Sequence, residues 1–139
     1  MKTFQNNSIK IEGEISLYKG SLTVQNILQC SVKVKKAFPE LPSDFFEIFQ
    51  EMIKSEGFTD ERLMDAVDNV IKTCVYPKPT IAQFISWDKK VKTYTYHQIV
   101  KMIEDGDNMK NYKSFLLPGN EVQVWIHVND VKKYNIKSL

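Results

Sequence analysis

Ser43-Asp44-Phe45-Phe46-Glu47-Ile48-Phe49-Gln50-Glu51-Met52-Ile53, followed by Gly57-Phe58-Thr59, decides the fold. Phe45, Ile48, Phe49, Met52 and Ile53 keep the i, i+3, i+4, i+7, i+8 spacing of one helix face. Ser43 is the predicted N-cap, with Asp44 and Glu47 in the positive first turn. Gly57 ends the helix and Thr59 caps the next, whose apolar face is Leu63, Met64, Val67, Val70, Ile71 and Cys74. A turn this tight predicts two antiparallel helices sharing a core.

Outward from that pair, Val24, Ile27, Leu28, Val34 and Phe38 predict a helix that stops before Pro39. Ile9, Ile11, Ile15 and Leu17 alternate with polar residues and predict a short N-terminal strand, weakened by Gly13. Past the helix pair, Tyr76-Pro77-Lys78-Pro79 is a stiff extended break. Thr80 caps a short helix with Ile81, Phe84 and Ile85 inward. Lys89–Tyr94 reads as a polar connection. Thr95 and Gln98 make a capping box for a helix with Tyr96, Ile99, Val100 and Ile103 inward, closed by Gly106.

Tyr112–Leu117 and Val122–Val128 flank Pro118-Gly119-Asn120, a hairpin signal, and Asn129 is the expected cap of a last helical turn. The predicted class is α+β and mainly helical. About five helices surround one core, with a C-terminal β-hairpin that the N-terminal strand is free to join. One domain is expected over 1–139: strand or tail to 20, helical core 21–106, hairpin and terminal turn 107–139.

The net charge of +2 is unevenly spread. Glu40–Asp68 holds nine acids against Lys54 and Arg62, a net of −7, while Lys72–Lys113 holds eight lysines against four acids, a net of +4. No apolar run approaches the ~20 residues of a membrane span, the N-terminus lacks an export signal, and two isolated cysteines suit a reducing compartment. These features predict a cytoplasmic protein with no membrane partner.

No motif of a known enzyme class occurs, so no catalytic residue is assigned. Cys30, Cys74, His97 and His127 are spaced by more than twenty residues, unlike the close ligand pairs of zinc sites. Asp105-Gly106-Asp107 starts like a calcium loop, but Leu116 stands where the loop needs glutamate. No metal or other cofactor is expected.

Two candidate sites remain. Lys89, Lys90, Lys92 and Tyr94 combine phosphate-neutralising charge with an aromatic ring, the ingredients of nucleic-acid contact, although a solvated linker is the commoner role of such a run. Strand alternation places Val122, Val124, Ile126 and Val128 on the core side, so Trp125 and His127 take the opposite face. A tryptophan there marks either a partner surface, with a second copy of the chain as one occupant, or equally a ring packed onto the neighbouring helices. In the first case Trp125→Ala is expected to weaken association without changing the melting temperature. Asp65 and Asp68, on the acidic face of the helix pair, are candidates for docking a basic partner.

Phe38-Pro39-Glu40-Leu41-Pro42, the helix pair with its Gly-Phe-Thr turn, and Tyr76-Pro77-Lys78-Pro79-Thr80-Ile81-Ala82-Gln83-Phe84-Ile85-Ser86-Trp87 together carry a resemblance. The order resembles small phage replication proteins that load or inhibit the replicative helicase, the replication protein P type. It is also similar to uncharacterised small phage and mobile-element proteins of Bacteroides-type bacteria. The resemblance covers Phe38 to Trp87 and implies an accessory role in DNA replication through protein contact, with the helicase as partner and DNA as a further candidate ligand. A winged-helix DNA-binding protein is the alternative, since helices followed by a hairpin are that fold's order.

Overall fold

Threonines start four helices in the computed structural model, which describes residues 13–119 and 122–139. Thr23 caps α1 (Val24–Ala37), Thr59 caps α3 (Asp60–Thr73), Thr80 caps α4 (Ile81–Ile85) and Thr95 caps α5 (Tyr96–Glu104). At Thr80 and Thr95 the glutamine three residues on returns a bond to the cap, closing the full capping box. α2 (Ser43–Ser55) starts differently. Its N-cap is Pro42, and Ser43, predicted as the cap, is the first helical residue.

Contacts divide the described chain into two compact units. The first is Tyr18–Lys89 and contains α1 to α4. Its core includes Ile27, Val34, Phe49, Ile53, Leu63, Val67, Val70 and Phe84. Phe49 and Phe84 meet edge to face at 5.1 Å, a geometry worth about 0.5–1.5 kcal/mol beyond area burial. α2 and α3 do contribute to one core, as the tight turn predicts, but α3 packs mainly on α1 and α4. Asp60 ties the N-terminal ends of α1 and α3 together by accepting from the Thr23 N–H at 2.8 Å and its hydroxyl at 3.0 Å.

The second unit joins residues 13–17 to Lys90–Leu139. Strand β1 (Glu14–Ser16) pairs antiparallel with β2 (Lys90–Lys92), placing Ile15 beside Val91. The predicted N-terminal strand therefore exists from Glu14 on, but its partner is the segment read as a polar connection, not the hairpin. Its expected portion before residue 13 lies outside the described residues. Gly13 has φ +63, and a Cβ there would stand 2.6 Å from the Thr93 carbonyl oxygen, so this strand entry fits only glycine.

β3 (Tyr112–Leu116) and β4 (Gln123–His127) form the predicted hairpin, closed by the Leu117 N–H on the Val122 carbonyl. The expected turn residues at 120–121 lie outside the described residues. α6 (Val128–Tyr134) follows directly, capped by the His127 side chain, where Asn129 was expected; the Asn129 N–H is instead the donor. Val91, Phe115, Ile126 and Ile136 form this unit's own core. α5, expected in the helical core, belongs here with the hairpin. No helix among the described residues is long and apolar enough to cross a membrane.

Candidate functional site

Asp65 and Lys89, two predicted contact residues, are drawn into one network within the helical unit. The Trp87 indole donates to the Tyr18 hydroxyl at 2.7 Å, and that hydroxyl donates to Asp65 at 2.8 Å. Lys89 stands 3.7 Å from the same carboxylate, over the Tyr18 ring. Burial, reinforced by the bond to Asp65, pushes the Tyr18 phenol well above its ordinary value. Asp68 pairs with Lys33 at 2.6 Å on an exposed surface, and that bond raises the lysine's affinity for its proton. An exposed pair of this kind adds little stability.

Lys90, Lys92 and Tyr94 belong to the second unit. Val91 and Thr93 are buried, so strand alternation turns Lys90, Lys92 and Tyr94 to the other face. Both lysines are exposed, and among the described residues no ion pair holds either. Tyr94 exchanges both backbone bonds with Trp125, at 2.8 and 2.9 Å, which adds the end of this strand to β4.

Trp125 follows the packed alternative and not the open aromatic surface. It is only 8% exposed, against 49% for Val122, which was expected inside. Tyr96 of α5 lies 5.8 Å from its ring. Alternation assigns Val124 and Ile126 to the core side correctly; on the other side Trp125 is covered, while Gln123 is exposed and His127 half-buried. His127 is engaged as the α6 cap and set edge-on to Tyr112 at 5.3 Å.

Tyr112, which belongs to neither candidate site, joins Tyr94 at 5.5 Å and donates to Asp107 at 2.6 Å. That bond, followed by bonds from Asn111 and the Asn108 N–H, holds the Asp107 carboxyl below the usual range. The same bond, with burial, pushes the Tyr112 phenol up to about 12. The lowered carboxyl contributes stability above the ordinary carboxylate pKa and loses it as pH falls through the lowered value. The raised phenol contributes fully below 10.0 and is lost as pH rises toward about 12. In an alkaline absorbance titration, Asp107→Asn is expected to move one phenol from about 12 back toward 10.0. An unchanged titration would show that the bond does not form in solution.

The helical unit also presents an apolar surface on α1. Val24 and Leu28 face outward, 64% and 52% exposed, and continue to Val32. The stripe i, i+4, i+8 flanks the buried side made by Ile27, Cys30, Ser31 and Val34, about a third of a turn away. Its far end meets a groove of about 450 Å³ between α1 and α2, lined by Val32, Lys36, Leu41 and Phe46 among others. α1 carries three lysines and no acid.

Cys30 is buried, which pushes its thiol up to about 11, out of reach of thiolate chemistry near neutral pH. Among the described residues no group of three or more His, Cys, Asp or Glu is placed to hold a metal ion. A winged-helix reading calls for a recognition helix ahead of the hairpin. That place holds α5, whose Tyr96 lies on Trp125, and then the single 3-10 turn Met109–Asn111. No family model, curated protein or solved structure matches the chain.

Proposed function

We propose that the chain is a non-enzymatic accessory protein of phage or mobile-element DNA replication, acting in the cytoplasm by protein contact with the replication machinery in the manner of a helicase loader. The observation that carries this reading is the outward apolar stripe Val24, Leu28 and Val32 on α1. It belongs to the same compact unit as the Phe38–Trp87 stretch that resembles such proteins. An apolar row beside lysines suits an amphipathic acidic helix, with the side chains giving affinity and the charge speeding association.

The test is co-elution of the purified chain with a purified replicative helicase in size-exclusion chromatography. A stable complex is expected, and Leu28→Asp with Val32→Asp should abolish it while leaving the melting temperature nearly unchanged, since both residues are exposed. A folded protein that never shifts the helicase peak would sink the reading. Dimerisation of the chain alone, lost in the same variant, would assign the stripe to a second copy instead.

A further inference from the structure

Lys90, Lys92 and Tyr94 share one face of the strand that adds to β4 through Trp125. Residues directly opposite in an antiparallel pair share a face, so the Tyr112 and His127 pair lies on that same side. Two free ammonium groups thus continue into a row of half-buried aromatic rings, with the exposed Tyr96 beside it. The rings meet nearly at right angles, 77° for Tyr94 on Tyr112 and 80° for Tyr112 on His127. Each edge-on contact covers one face of one ring only, whereas parallel stacking would cover a face of both.

We propose that this face binds single-stranded nucleic acid, with Lys90 and Lys92 on consecutive phosphates and Tyr94 and Tyr112 stacking on bases. The charge pattern argues for a polyanion. Lys90 faces Ser16 across the strands, and of the two only Lys92 faces an acid, Glu14. Among the described residues the one acid bonded to the ring row, Asp107, has both its oxygens turned to the Asn108 N–H, Asn111 and Tyr112. The rings argue for unpaired bases, because a duplex keeps its base faces stacked on each other and offers only phosphates and groove edges. The site uses no residue of Tyr18–Lys89, so it stands apart from the protein contact proposed above and survives or fails independently of it.

Fluorescence anisotropy with a labelled oligo-dT of about 10 nucleotides, at low salt, tests the proposal. The full chain should bind it and should prefer it to a duplex of the same length. Lys90→Gln with Lys92→Gln, both on exposed side chains, should weaken binding and flatten the log-log salt slope by about 1.4, the release expected for two phosphates on a single strand. Tyr94→Leu should weaken it by roughly 5- to 150-fold. Because Tyr94 also supports the sheet, ring resonances of the unmutated protein provide a second readout. Oligo-dT should shift those of Tyr94 and Tyr112. Absence of binding, equal affinity for the duplex, an unchanged salt slope in the lysine variant, or ring resonances that stay put would each overturn the proposal.

Discussion

Arg62→Ala is expected to destabilise the segment Tyr18–Lys89 by about 3–5 kcal/mol, the range for removing one member of a buried charged network. The guanidinium donates to the carbonyls of Trp87 at 2.7 Å, Ile85 at 3.0 Å and Glu56 at 3.3 Å, and lies 3.7 Å from the Asp88 carboxylate. Both charged side chains are only 11% exposed. Arg62 also lies over the Phe58 ring at 3.8 Å. The only arginine of the sequence thus holds the end of α4 and the turn after α2 to α3. Truncation withdraws the donor from three carbonyls at once, and lysine, a single point charge, cannot restore the fork. Denaturant unfolding gives the size of the loss, and hydrogen exchange should place it within residues 18–89. A change below about 1 kcal/mol would mean that solvent already serves these carbonyls.

Trp125→Ala should destabilise the unit that holds the hairpin by about 3–5 kcal/mol, the range for deleting a buried tryptophan. It removes the ring under Tyr96 and opens a cavity beside a strand that is also bonded to Tyr94. Amide protection should fall across residues 90–139. An unchanged melting temperature accompanied by lost self-association would restore the interface role that strand alternation alone suggests.

What the sequence made legible was local. Thr59, Thr80 and Thr95 mark helix starts because a cap bond closes within three residues, and Gly57 and Gly106 mark ends through a positive φ that their own backbone must adopt. The hairpin follows from turn chemistry and two short apolar runs. What escaped depended on distant partners. β2 contains one apolar residue between two lysines, and only Glu14–Ser16, far away in sequence, makes it a strand. Trp125 shows the limit of alternation, which says which side chains share a face but not whether that face is covered. α1 carries two apolar stripes of the same period, and packing against α3 decides that Ile27 and Val34 go in while Val24 and Leu28 stay out. Of the proposed contact residues, Lys90, Lys92 and Tyr94 were visible as types. Tyr112 was not, because its place beside Tyr94 exists only once the strands pair.

The pairing of β1 with β2 encloses the whole helical unit, Tyr18–Lys89, between its two strands. An open chain of that length must give up a large share of its freedom before Ile15 can find Val91. A helical unit already folded reverses the situation, because the Trp87 indole bonded to the Tyr18 hydroxyl brings the two points of departure together. The search is then across a few residues, which lowers the closure entropy by on the order of 2–3 kcal/mol. Closure entropy therefore favours a helical unit that forms before the ladder. Between ends held that close, the two-stranded ladder is as local a closure as a β-hairpin, which forms in about 1–10 μs.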